Sequence, residues 1–268
     1  MHALDQTSNP APTSARTPVQ APARAMAFER WASPIHSPSQ DYERHLKESL
    51  ALLGTVYQDL SPLKQASSLG AEDVVITHMI ESLGLHIPVF VLDTGALHHQ
   101  TLALLERTQA RAKLPIEVYK PVHADVLHFV STKGQASIYR SLEERKACCD
   151  FRKLKPLGQA LKGQRAWITG LRREQSSARS EVGLIDESEL QTQGWTKVNP
   201  LVNWTWSDVW HYIEIHQVDY NPLHDELYPS IGCAPCTRAI SMGEEFRAGR
   251  WWWEDENAKE CGLHVRKA

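Results

Sequence analysis

Short apolar runs alternate with helical stretches along this chain, and each run opens into a polar loop before the next helix begins. A stretch ending Ser67-Ser68-Leu69-Gly70-Ala71-Glu72-Asp73, followed by Val74 to Ile80, reads as strand, glycine loop, helix. His86 to Leu92 reads as a buried strand closed by Asp93-Thr94-Gly95. A helix is expected near Gln100–Arg107, a strand near Ile116–Tyr119, and a further strand over Arg165–Gly170 that leads into a polar loop. Ser207 and Asp208 start a helix over Val209–His216, and Leu46, Leu50, Leu53, Tyr57 and Leu60 give residues 40–60 one apolar helical face. Strands alternating with helices require right-handed crossovers, so the pattern predicts an α/β fold: a parallel twisted sheet with flanking helices. Ligands of such sheets bind at the carboxyl ends of the strands. The loops at 67–73, 93–96 and 170–180 are therefore expected on one rim.

Composition narrows the setting. The chain has 268 residues, 42% of them apolar and 23% charged, an ordinary globular balance. A net charge of −3 makes any basic site a local cluster and disfavours a nucleic-acid binder. No apolar run approaches the ~18–20 residues that cross a bilayer, so no membrane role and a soluble protein are expected. The amino terminus lacks a secretory apolar core, and five cysteines are too sparse for a disulfide scaffold, so a cytoplasmic setting is expected. Residues 1–26, with four prolines and six alanines, read as a disordered tail. An organellar transit peptide carrying Arg16 and Arg24 is the alternative. Residues 27–246 then form one domain, and 247–268 a mobile C-terminal segment.

Four of the cysteines form two close pairs far apart in sequence, Cys148-Cys149 and Cys233-Ala234-Pro235-Cys236. Such a set suits zinc or an iron–sulfur cluster. Zinc pairs are usually separated by two or more residues, which tilts the reading toward iron–sulfur. Four buried or redox-active thiols are the alternative. Arg152 and Lys153 follow the first pair, either beside an anionic centre or as plain helix-surface cations. Cys261 stands apart, with Lys259, His264 and Arg266 around it. Cations lower a thiol pKa, so it reads as a nucleophile on a mobile tail, against an idle exposed cysteine. Trp251-Trp252-Trp253 are costly to leave in water and would anchor that tail or sit at a subunit contact, allowing a homo-oligomer.

Anion-binding character recurs in three places. Ser67–Asp73 supplies hydroxyls, a glycine and N–H groups at a helix start, without the Gly-Lys-Ser/Thr of a Walker motif. The loop Gly170-Leu-Arg-Arg-Glu-Gln-Ser-Ser-Ala-Arg179 holds three arginines beside hydroxyls, and Arg247 and Arg250 add two more. Arginine's planar fork suits phosphate and sulfate oxygens.

Together these motifs resemble the phosphosulfate reductase family, specifically its iron–sulfur adenylyl-sulfate (APS) reductases. The matching residues are the Ser67–Asp73 loop, Leu92-Asp-Thr-Gly95, Cys148-Cys149 with Arg152-Lys153, the Gly170–Arg179 loop, Gly232-Cys-Ala-Pro-Cys-Thr237, Arg250-Trp-Trp-Trp and Glu260-Cys-Gly-Leu-His264. The resemblance runs over roughly residues 40–264 and implies an adenine nucleotide α-hydrolase-like fold. It implies a [4Fe–4S] cluster on Cys148, Cys149, Cys233 and Cys236, with Cys261 as nucleophile. Lys153, Arg179, Arg247 and Arg250 match positions that meet the phosphosulfate. Ser67, Gly70, Asp73, Thr94 and Gly170 match nucleotide-lining positions, and His264 is carried as a substrate contact. The activity implied is thioredoxin-dependent reduction of APS to sulfite and AMP through an S-sulfocysteine, in sulfate assimilation. The chain ends four residues past His264, where plant relatives carry a fused thioredoxin-like domain, so a separate dithiol reductant is expected. The family usually follows Leu-Asp-Thr-Gly with arginine, and here Ala96 stands there. A reductase for PAPS, or for both nucleotides, is the nearest alternative. A tRNA-thiolating enzyme would need a Ser-Gly-Gly-Lys-Asp-Ser loop that is not seen, and a zinc-stabilised nucleotide sensor would carry no nucleophile.

Overall fold

The structure is a computed structural model that describes residues 37–255 and residue 259. Its centre is a six-stranded sheet in the order β3-β2-β1-β4-β6-β5. The strands are β1 (Leu63–Ser67), β2 (Val89–Leu92), β3 (Glu117–Tyr119), β4 (Ala166–Ile168), β5 (Ile185–Asp186) and β6 (Thr196–Val198). All neighbouring pairs run parallel except β5 with β6, so the expected parallel sheet ends in one antiparallel edge strand. β2 is shorter than the apolar run that encodes it. Pro88 has no N–H for the ladder, and only its carbonyl is used, accepting from Gln65 N at 2.9 Å.

Helices α1 (Tyr42–Asp59), α2 (Ala71–Ser82) and α3 (His99–Arg111) follow the predicted periodicity. Helix α4 (His123–Lys133) comes next. Then α5 (Leu142–Cys149) passes through a π-helical turn at Asp150–Leu154 into α6 (Lys155–Ala160). Such an insertion shifts the phase of the helix and is frequent at functional sites. Here it begins directly after the vicinal cysteines. Helix α7 (Trp206–His216) starts at a reciprocal cap in which Thr205 Oγ1 accepts from Asp208 N and Asp208 accepts from Thr205 N.

The main core lies on one side of the sheet, where Leu53 and Val56 of α1, Val75, Ile76 and Met79 of α2, and Val209 and Ile213 of α7 are all buried. A smaller core of Phe90, Trp167, Leu157 and Leu161 joins the sheet to α6. The central strands are thus covered on both faces, as a parallel sheet requires.

Asp208 ties the start of the described chain to this core. Its side chain is fully buried and accepts from Ser39 N at 2.7 Å, Ser39 Oγ at 3.0 Å and Thr205 N at 2.9 Å. Replacing Asp208 by Ala leaves those donors without their acceptor, so a loss of about 3 kcal/mol is expected in urea unfolding. A loss below about 0.5 kcal/mol would show that the cap is not structural.

Candidate functional site

A cleft of about 200 Å³ opens at the carboxyl ends of β1, β2 and β4. It is built by the three loops expected on that rim. Ser67, Gly70, Asp73, Thr94 and Gly170 line it, and Lys153, Arg179, Arg247 and Arg250 supply its cations.

The loop after β1 is braced from within. Asp73, in the first turn of α2, accepts from both Ser68 N and Ser68 Oγ at 2.6 Å, and Leu69 takes a positive φ of 62°. Burial raises the Asp73 carboxyl to about 6 against those two hydrogen bonds. Asp73 therefore serves this site by holding the loop. Gly170 touches it from β4: a Cβ there would lie 2.5 Å from Asp73 Oδ1 and 2.8 Å from Glu72 Cβ. Only glycine lets the two loops meet.

His224 completes the brace, and no sequence motif flagged it. Ala71 N donates to its Nε2 at 3.2 Å, which leaves Nδ1 to donate to the Tyr228 carbonyl at 2.8 Å. A main-chain N–H cannot change roles, so this geometry selects the neutral ring. Burial lowers its pKa from 6.5 to about 4. The contact joins residues 153 positions apart, a distance that local pattern cannot report.

On the opposite wall Thr94 is buried, with Oγ1 3.2 Å from Cys233 Sγ. Ala234 N donates to the Ala96 carbonyl at 2.8 Å, and Leu97 bridges Cys233. Arg152 Nη1 donates to the Thr94 carbonyl at 2.5 Å, so a guanidinium from the π-helical turn holds the loop that carries Ala96.

Cys148, Cys149, Cys233 and Cys236 line a second cavity, and none of them is in a disulfide. Burial and the neighbouring Cys233 push the Cys236 thiol up to about 12, and burial raises Cys148 against Arg152. Among the described residues no three His, Cys, Asp or Glu side chains converge tightly enough for a single metal ion. The thiols instead form the wall of a chamber. Lys153, Cys233 and Trp251 line both this chamber and the cleft.

The base of the C-terminal segment is built into the same wall. Trp251 is buried, with the Arg145 guanidinium 4.5 Å and that of Arg250 4.6 Å from its ring centre. Arg145 is fully buried and bonds Glu254 through Nε at 2.9 Å and Nη2 at 2.7 Å. Arg250 is 7% exposed, and its Nη1 donates to Ser230 Oγ at 3.3 Å and to the Ile231 carbonyl at 3.1 Å. Gly232 makes room for it, since a Cβ there would lie 2.5 Å from Arg250 Nη2. Arg247 Nη2 donates to the Lys259 carbonyl at 2.9 Å, placing a residue of the terminal segment beside the cleft. Cys261 and His264 lie outside the described residues, as does the 1–26 segment.

Residues 62–239 match the phosphoadenosine phosphosulfate reductase domain family. A Burkholderia cepacia protein named adenosine 5'-phosphosulfate reductase is 48% identical over 215 residues, covering 80% of this chain and 85% of its own length. One of the same name from Allochromatium vinosum is 48% identical over 219 residues, covering 82% and 85%. A crystal structure of phosphoadenylyl-sulfate (PAPS) reductase from Candida auris, in a phosphate complex, superposes with a TM-score of 0.60 at 26% identity over 76% of this chain and 98% of that one. Yeast FAD synthetase in complex with FAD shares the architecture at 14% identity, with a TM-score of 0.55 over 81% of this chain and 75% of that one. The architecture is the adenine nucleotide α-hydrolase-like fold.

The His224 brace has a pH signature. Because its folded pKa lies below the unfolded value, its contribution to stability is fully present above 6.5 and is lost as pH falls toward about 4. That gap corresponds to about 3 kcal/mol. Asp73 titrates in the same window with the opposite sign, because its folded pKa is raised. The comparison is therefore between wild type and His224→Gln by urea unfolding. The stability advantage of wild type should shrink by about 3 kcal/mol between pH 7.5 and pH 4. An advantage that does not change with pH would show that His224 is not held neutral.

Proposed function

The chain belongs to the phosphoadenosine phosphosulfate reductase family, and from that membership we propose that it is an oxidoreductase that converts adenosine 5'-phosphosulfate to sulfite and AMP in sulfate assimilation. The observation that carries the reading is Arg250. It is a buried cation whose hydrogen bonds, among the described residues, go to a hydroxyl and a carbonyl, with no carboxylate beside it. A buried charge left in that state is costly. An anion entering the cleft beside Lys153, Arg179 and Arg247 would offset the cost. Relatives named for APS supply the substrate, and the two cysteine pairs support the same branch.

Cys148, Cys149, Cys233 and Cys236 would hold the [4Fe–4S] cluster. Four thiols lining one chamber, with Cys148 and Cys236 raised by burial, are a donor set that a positively charged metal centre stabilises. When bound, the cluster supplies an electrostatic and structural element next to Lys153. The chemistry itself needs only this chain's residues and a dithiol. The Cys261 thiolate attacks the sulfur of APS. The bond from that sulfur to the bridging phosphate oxygen breaks, and AMP leaves with the electron pair. Lys153, Arg179, Arg247 and Arg250 offset the charge that develops on the departing phosphate. Cys261 then carries the sulfonate as an S-sulfocysteine. One thiolate of a thioredoxin-like dithiol attacks Cys261 Sγ, and sulfite departs with the electron pair of the broken S–S bond. The second thiol resolves the mixed disulfide and regenerates Cys261. The dithiol loses two electrons and sulfur gains them.

Intact-mass spectrometry of anaerobically purified protein tests this. Incubation with APS and no thiol should add one sulfonate to wild type and none to Cys261→Ser, and PAPS should add none to either. An equal adduct from PAPS would make the enzyme dual-specific. No adduct in cluster-containing wild type, or one that persists in Cys261→Ser, would overturn the mechanism.

A further inference from the structure

Gln175 sits in the loop after β4, lines the cleft, and makes use of its whole amide. Its Oε1 accepts from Arg172 N at 3.1 Å and from Arg179 Nη1. Its Nε2 donates to Glu72 Oε1 at 2.9 Å and to the Gly170 carbonyl at 3.2 Å. The two acceptors and two donors leave one way to orient the amide, with its oxygen toward Arg179. Glu72 is itself fixed, since Arg172 Nε donates to the same Oε1 at 2.9 Å. Arg172 has no exposed surface and has Glu174 at 2.7 Å on its other arm. Its guanidinium lies 5.4 Å from the ring centre of Trp206 and 5.6 Å from that of Phe246.

A chain of fixed groups therefore runs from the sheet to the cleft: Arg172, then Glu72, then Gln175, then Arg179. An arginine side chain carries about 2 kcal/mol of rotamer entropy that binding must otherwise remove. Holding one of its N–H groups on an acceptor that cannot rotate removes part of that cost before the ligand arrives. An amide suits the position better than a carboxylate. It accepts from Arg179 without neutralising it, and its other end can still donate to Glu72.

We propose that Gln175 is a positioning residue that presets the Arg179 guanidinium for the anionic part of the substrate through the buried Glu72–Arg172 pair. The inference rests on the reading of the cleft as an APS site and adds to it a residue that need not touch the substrate.

The test is a double-mutant cycle in the full chain, purified anaerobically with Cys261→Ser so that APS binds without reacting, and read by titration calorimetry. Arg179→Ala is expected to weaken APS binding, and Gln175→Ala is expected to weaken it about tenfold, a typical coupling for groups in one network. The decisive value is the double variant, which should bind no more weakly than Arg179→Ala alone. A merely structural role would make the two losses add. Gln175→Glu, of equal length, runs through the same cycle if Gln175→Ala lowers the melting temperature. An unchanged affinity in Gln175→Ala, or additive losses, overturns the inference while leaving the APS reading intact. An unchanged affinity in Arg179→Ala also overturns it. Absence of APS binding in the Cys261→Ser parent overturns both.

Discussion

Everything in the site depends on one junction, where the Cys233 loop meets the loop that follows β2. Thr94 Oγ1 lies 3.2 Å from Cys233 Sγ, and Ala234 N donates to the Ala96 carbonyl at 2.8 Å. These short polar contacts bring a cysteine pair from late in the chain to the carboxyl edge of an early strand. They also make one thiol, Cys233, a shared wall between cleft and thiol chamber, together with Lys153 and Trp251. Any charge held in the chamber is thus felt in the cleft through a single layer of side chains, where low polarisability keeps electrostatic effects strong.

Buried cations in and behind the two cavities are of two kinds, and their partners separate their roles. Arg145 and Arg172 are fully buried and each is matched by a carboxylate: Glu254 for the first, Glu72 and Glu174 for the second. Their charge is spent inside the protein, joining the C-terminal segment to α5 and the β4 loop to α2. Arg250 is met by neutral acceptors, so its charge stays available to the cleft. In a chain with net charge −3, positive potential is local, and Arg250 contributes to it because its partners are neutral.

Legibility in the sequence followed chemical type. The cysteine pairs, the glycine loop and the arginine-rich loop were visible because each needs unusual residues at close spacing. The roles of Asp73 and Ala96 were not. Asp73 sits among ligand-lining residues in sequence, yet its carboxylate serves Ser68. Ala96 offers no charge, and its loop is held by Arg152, dozens of residues away. Strands β5 and β6 escaped because they are two and three residues long, and Lys197 reads as polar although it is buried with its ammonium 5.3 Å from the Trp167 ring centre.

The amino-acid sequence by itself determined the alternation of strand and helix, the rim on which the loops gather, and the inventory of thiols and cations, because these rest on periodicity and residue chemistry within a few positions. The tertiary structure alone decided that His224 caps the start of α2, that Gln175 links Glu72 to Arg179, and that Arg145 grips Glu254. Each of these joins groups brought together by the fold. Their effect comes from burial and the direction of a hydrogen bond, which do not exist until the chain has closed around them.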